Sequence, residues 1–230
     1  MRLSPLKLLH LSTTWIKLVR DPRDLDQVFS MADKLGDPAL VEEIIVALKQ
    51  HPRAQRAYEQ RPRRGSVDTE ALSALPDGSL GRAFADFLTR AGLDPADLPE
   101  LPADDDASYT LAHLYETHDI WHVVTGFEPD VAGELGLQAF YLAQFPAKLP
   151  LVLLPAALLN TILYAYPDAR RRMNGIVRGW LLGRRAKQLF GVDWKIRWTE
   201  PLSAVRQSLG IDLEEVFELV PVEQSAQIAA

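Results

Sequence analysis

The run from Leu151 to Tyr166 restricts the fold most: sixteen almost wholly apolar residues, interrupted by Pro155 and Asn160. A helix that spans a bilayer needs roughly twenty apolar residues, so this one is too short to cross. It has two other fates. It is a core helix, hydrophobic all round, or it lines an apolar ligand cavity or lies half-embedded in a membrane surface.

The remainder of the chain reads as helices with short connections. Leu8, Leu11, Trp15, Leu18 and Val19 recur at helical spacing and stop at Asp21-Pro22. Leu25, Val28, Phe29, Ala32 and Leu35 mark a second helix. Asp37-Pro38 starts a third, which ends at His51-Pro52. Ser79 is a candidate N-cap for the helix carrying Phe84, Phe87 and Leu88. Residues 92–107 form the linker candidate, with an aspartate run that reads as a solvated acidic loop. Tyr109–Val124 and Val131–Phe145 are the next two helices. Gly133 and Gly136 lower helix propensity in the latter, and their expected role is to let these two helices approach closely. Arg197–Leu209 reads as a last amphipathic helix. The expectation is an all-α chain, a single helical domain over residues 1–220, with a frayed tail over 221–230.

The 230 residues are 47% hydrophobic, enough for one sizeable core. There is no cysteine, so disulfides and thiolate metal sites are excluded. A net charge of −6 argues against nucleic acid as a partner. Two basic segments stand out against it. Residues 53–66 hold five arginines, read as a solvated helix end or as an anion-contacting patch. Residues 170–187 hold seven basic residues and no acid, read as a solvated face or as a surface for anionic lipid. The opening residues lack the apolar stretch and cleavage site of a secretory leader. The expected location is cytoplasmic, peripheral on the inner face of the membrane.

Metal-ligand residue types occur at metal-ligand spacing in one stretch: His118-Asp119-Ile120-Trp121-His122, then eleven residues, then Glu134. His118 and His122 lie one turn apart on one helix face. Asp119 lies on its flank. Thr125–Asp130 breaks the helix, and Asp130 as N-cap would place Glu134 one turn into the next. Two imidazoles and two carboxylates suit zinc or another first-row divalent metal. The pattern is similar to the H-E-x-x-H helix of zinc proteases, in which the second residue is a base. Asp119 is therefore ligand or base. His113 sits in poor register with His118 and reads as an ordinary histidine; His10 and His51 have no motif around them. No phosphate loop, nucleophile elbow or Cys/His pair is present.

His118-Asp119-x-x-His122-(x)11-Glu134 resembles the signature of the fourth-numbered family of coenzyme Q (ubiquinone) biosynthesis proteins. Two further blocks carry the same resemblance. One is Leu75-Pro76-Asp77-Gly78-Ser79-Leu80-Gly81 with Phe84 and Phe87-Leu88, where serine replaces the family's usual threonine. The other comprises Gly183-Arg184-Arg185, Arg197-Trp198, Glu200 and Leu202, ending at Leu209-Gly210-Ile211. Without a mitochondrial-type presequence, the chain is similar to a bacterial-type member. The resemblance implies a membrane-peripheral helical protein with a divalent metal, usually zinc, held by His118, Asp119, His122 and Glu134. It implies chemistry at C1 of a polyprenylated 4-hydroxybenzoate, removing the carboxylate or replacing it by hydroxyl, with Asp119 and Glu134 as catalytic groups. It also implies a polyprenyl lipid or aromatic acid as ligand, the other quinone-biosynthesis enzymes as partners, and a second copy of the chain as a candidate one. The alternative it leaves open is a non-catalytic, lipid-binding scaffold.

Overall fold

The computed structural model describes residues 5–24, 26–28, 30–31, 38–94 and 101–221. Its helices are α1 (Pro5–Arg20), α2 (Pro38–Leu48), α3 (Pro52–Gln60), α4 (Thr69–Ser73), α5 (Leu80–Ala91), α6 (Asp106–Thr125), α7 (Val131–Gln144), α8 (Lys148–Tyr164), α9 (Ala169–Arg185), α10 (Leu202–Leu209) and α11 (Leu213–Leu219). Short 3₁₀ turns lie at Tyr166–Asp168 and Lys195–Arg197. No strand occurs among the described residues, only an isolated bridge between Ser79 and Pro201. The all-α expectation holds. The segment from Arg197 is a 3₁₀ turn followed by α10, and α11 lies beyond it. Parts of the second expected helix, residues 95–100 of the expected linker and the tail after Pro221 lie outside the described residues.

Local chemistry sets the helix ends. Ser79 Oγ accepts from the Arg82 N–H at 3.3 Å and caps α5. The aspartate run proves to be a helix start: Asp105 accepts from the Ser108 N–H at 2.7 Å, and the Ser108 hydroxyl closes the capping box. Asp106 in the first turn pairs with Lys49 and Arg61. Asp130 caps α7 by accepting from the Gly133 N–H at 2.9 Å. Gly126 ends α6 at φ +73°, a left-handed conformation that side chains with a Cβ disfavour.

The main core lies where α5, α6 and α7 meet the loop after α9. Phe84, Tyr109, Trp121, Phe140, Phe190 and Trp194 are its largest fully buried side chains. A smaller cluster of Leu18, Val19, Met31 and Ala156 packs α8 against α1.

The closest helix contact runs between α7 and α9. A Cβ added at Gly175 would lie 2.4 Å from the Ala132 carbonyl oxygen, one at Gly179 1.8 Å from that of Gly136, and one at Gly183 2.8 Å from that of Phe140. Glycines spaced four apart give α9 a bare stripe on which the α7 backbone rests, as small residues do where helices cross closely. This corrects the expectation for Gly133 and Gly136. They do not draw α6 and α7 together: Gly136 presents its backbone to α9 and its Cα to the Phe127 ring, and Gly133 makes room for the Glu128 carbonyl.

Helix α8 corrects the core-helix reading. Its fully buried residues, Pro150, Ala156, Ala157, Asn160 and Thr161, are small or polar, flanked by Leu149, Val152, Leu153 and Leu159, which are only partly buried against α1. Asn160 donates to the Val19 carbonyl at 2.9 Å and accepts from Arg172 at 2.8 Å. Leu151 and Ile162 are exposed on the opposite face, and at the C-terminal end Leu163, Tyr164 and, just beyond, Tyr166 are exposed as well, so the helix end is apolar and open on more than one side. Met173, Val177 and Trp180 form a second exposed apolar stripe along α9. No described helix is long and apolar enough to cross a membrane.

The 170–187 cations are largely tied inside the protein. Arg171 pairs with Asp130 and Asp168. Arg172 is buried against Asp168, Asn160 and Thr161. Arg178 is buried with its guanidinium 5.5 Å from the Phe217 ring centre, and Arg185 meets Glu215 at 3.1 Å.

Candidate metal centre

Helix α6 carries both motif histidines into the core wall. His122 is 1% exposed and stacks on Phe87, with ring centres 5.4 Å apart. The left-handed turn at Gly126 brings the Phe127 carbonyl back to His122 Nδ1 at 3.0 Å. A carbonyl only accepts, so Nδ1 carries the proton and Nε2 is left with its lone pair. That lone pair points at Glu134 Oε1, 3.0 Å away, and lies 3.3 Å from His118 Nε2. His118 Nδ1 sits 3.3 Å from the Tyr141 hydroxyl, and its Nε2 is 3.7 Å from Glu134 Oε2. His118, His122 and Glu134 thus each offer one ligand atom, all within 4.8 Å of one another.

Three lone-pair groups converging this closely require a positive charge between them, either a second proton on an imidazole or a cation. Their outer nitrogens are held by Phe127 and Tyr141, the arrangement that orients metal-bound histidines. The residues fit a divalent ion with nitrogen and oxygen preference. The three groups also bias one another's protonation. Burial works to raise the Glu134 pKa, but His122 and then His118 outweigh it and hold the carboxyl well below its usual range. Burial works to lower the His118 pKa, but Glu134, with Asp119 behind it, holds it above the ordinary value. Burial, then Glu134 and Asp119, push the Tyr141 hydroxyl far up, so it stays a neutral phenol.

Asp119 stands apart from the other three expected ligands and is not part of the converging triad. It is half-buried on the flank of α6, where its charge acts on His118, Tyr141, Tyr115 and Arg64.

Several supporting residues carry no motif signal. Arg206 of α10 donates to the carbonyls of Val123 and Val124, both at 2.9 Å, and closes the C-terminal end of α6. Arg171 of α9 holds Asp130, the cap that fixes the register of Glu134. Arg63 makes a two-pronged pair with Glu116. Arg64 is 6% exposed beside Glu116 and Asp119, and its Nε has no hydrogen-bond partner among the described residues. Single arginines in an Arg-rich stretch look alike in sequence; their partners lie some fifty residues away. His113 is a core residue: Nδ1 meets the Pro62 carbonyl at 3.1 Å and Nε2 accepts from the Gly191 N–H at 3.0 Å. Burial lowers its pKa to about 4.

The family profile for the coenzyme Q (ubiquinone) biosynthesis protein Coq4 matches residues 3–215, nearly the whole chain. The chain belongs to this family. The mitochondrial ubiquinone biosynthesis protein COQ4 of Paracoccidioides brasiliensis is 27% identical over 222 residues, which cover 91% of this chain and 75% of that one. That of Sclerotinia sclerotiorum is 28% identical over 221 residues, covering 91% and 76%. A crystal structure from Nostoc punctiforme, of a protein provisionally assigned to ubiquinone biosynthesis, superposes with a TM-score of 0.76 at 29% identity, covering 88% of this chain and 97% of the other. The fold and the family are therefore those that the sequence blocks implied, and the fungal relatives are described as mitochondrial.

Proposed function

We propose that this family member catalyses C1 decarboxylation of a polyprenylated hydroxybenzoate at a membrane surface, with a divalent metal held by His118, His122 and Glu134. One observation carries the reading. Both histidines have their Nδ1 atoms occupied, and their Nε2 atoms meet Glu134 in one spot. The donor set favours zinc, which when bound would supply Lewis acidity toward a substrate oxygen. The protein's own groups supply the rest. Phe127 fixes the His122 tautomer, Tyr141 offers a neutral hydroxyl to an anionic ring substituent, and the stacked Trp121 and Tyr141 rings (4.6 Å apart) form a flat wall beside the site. In the reaction the C1–carboxylate bond breaks, carbon dioxide leaves, and its electron pair stays on C1. A proton must then reach C1. We assign that step to Asp119, which is not part of the triad: it would take a proton from solvent as a base and deliver it to C1 as the acid, a proton-transfer role in place of a ligand one. The hydroxyl-forming version would need dioxygen as external oxidant.

The membrane part of the proposal rests on the exposed apolar faces of α8 and α9. Those faces also favour a second reading, a lipid-binding scaffold that gathers other quinone-biosynthesis enzymes. The two separate on one experiment. Purified protein is loaded with zinc and given a prenylated 4-hydroxybenzoate, and carbon dioxide release is measured for the native chain and for Glu134→Ala. Release that Glu134→Ala abolishes along with bound metal supports catalysis. No release from metal-loaded native protein overturns it and leaves the scaffold.

A further inference from the structure

A second cavity, of about 260 Å³, lies between α3 and the loop after α9, away from the metal triad. Arg53 and Arg56 line it from α3, and Arg197 faces them from the 3₁₀ turn. Gly191 brings the two walls together. It sits at φ +82°, where an added Cβ would lie 2.4 Å from the Ala57 Cβ, so the loop lies directly on α3. The Gly191 N–H is spent on His113, which locks the loop in place.

The charges do not cancel. Arg53 donates one bond to the Gln188 carbonyl at 2.7 Å; Arg197 donates from Nε and Nη2 to Glu200 at 3.0 and 2.7 Å and from Nη2 to Ser208 Oγ at 2.8 Å, so it offers the cavity its Nη1 edge. Arg56 has no partner among the described residues, and the one carboxylate on the wall, Asp193, accepts from the Lys195 backbone N–H. Burial, then Arg197 and Arg56, pull the Arg53 pKa below its ordinary value. Guanidinium forks match phosphate oxygens in pairs. The cavity exceeds what a bare phosphate needs, leaving room for part of the esterified group. On the rim Ile196 is 74% exposed next to exposed Lys195, an apolar tip beside cations, as suits a group whose phosphate is attached to something greasy.

We propose that this cavity is a phosphate-binding site that takes a phosphate mono- or diester on Arg53, Arg56 and Arg197. The source is a soluble phosphate ester or a phospholipid headgroup. The site is independent of the metal reading, because none of its residues touches the triad.

The test uses the full chain and three probes: inorganic phosphate and glycerol 3-phosphate by calorimetry, and phosphatidylcholine vesicles with and without phosphatidylglycerol by flotation. Phosphatidylglycerol-dependent flotation without calorimetric binding identifies a headgroup; calorimetric binding without flotation identifies a soluble ester. In either case Arg56→Glu, at an exposed position, weakens binding by about tenfold or more, and Arg184→Glu on α9 leaves the calorimetric binding unchanged. Ile196→Ser weakens only the vesicle arm. The proposal is overturned if the native protein binds none of the probes, or if Arg56→Glu, with native circular dichroism, binds them as the native chain does.

Discussion

The α6–α7 hairpin and the α8–α9 pair invert what their compositions suggest. α6 carries histidines, acids and threonines, yet His113, Glu116, Thr117 and His122 are buried. α8 is a long, almost wholly apolar run, yet Ile162 is 65% exposed and Tyr164 61%. The four have fixed partners: the Pro62 carbonyl, Arg63, the His113 carbonyl and the Phe127 carbonyl. On α8 the fully buried positions include two alanines, an asparagine and a threonine that meet α1 and Arg172; Leu149, Val152, Leu153 and Leu159 are only partly buried against α1, and Leu151, Ile162, Leu163 and Tyr164 are left exposed. Burial here follows which surface a neighbouring backbone can approach, and polar groups are tolerated inside when satisfied.

The glycine seam is where this comparison breaks first. Gly179→Val drives a side chain into the Gly136 carbonyl and is expected to destabilise by roughly 4 kcal/mol or more, or to prevent folding. Chemical denaturation followed by near-UV circular dichroism would show it; a shift below roughly 1 kcal/mol would mean that α7 and α9 do not rest on each other.

The next effect comes from pH. His113 titrates at about 4 in the folded chain and has an ordinary value of 6.5. Above 6.5 it is neutral in both states and its contribution is complete. As pH falls from 6.5 to about 4, the unfolded chain takes a proton that the folded chain refuses, and stability drops by roughly 3 kcal/mol. His113→Gln should flatten that part of the pH profile in urea titrations.

Loss of a triad ligand follows. Glu134→Ala or His122→Ala should lower zinc affinity by about a hundredfold or more, read by metal analysis after dialysis, and Asp119→Asn should spare metal retention. An equal loss in Asp119→Asn would return Asp119 to the ligand set. Arg206→Met, which frees two carbonyls at the end of α6, should destabilise by about 1–2 kcal/mol. The smallest effect is expected outside. Ile162→Ser with Leu163→Ser should change stability by about 0.5 kcal/mol or less while reducing vesicle binding, which separates a docking face from a core helix.

Much of this was legible in residues alone. Ser79 and Asp130 announced their helices because a capping side chain acts within three residues of itself. His118 and His122 share a face because helical period alone requires it. Asp119 was ambiguous because a flank position one residue from His118 can turn toward the site or away, and that depends on Arg64 and Tyr141 from other segments. Gly133 and Gly136 point in sequence to a close contact between neighbouring helices, because sequence shows the missing side chains but not which backbone fills the space.

The sequence by itself determined the helical class, the stops and caps, the shared face of the two histidines and the family blocks, all of which depend on interactions a few residues long. The tertiary structure decided that the glycine stripe of α9 receives α7, that α8 leaves Leu151, Ile162, Leu163 and Tyr164 exposed, and that Phe127, Tyr141, Arg171 and Arg206 hold the triad. Those outcomes depend on contacts between segments dozens of residues apart, and periodicity carries no record of which face meets which.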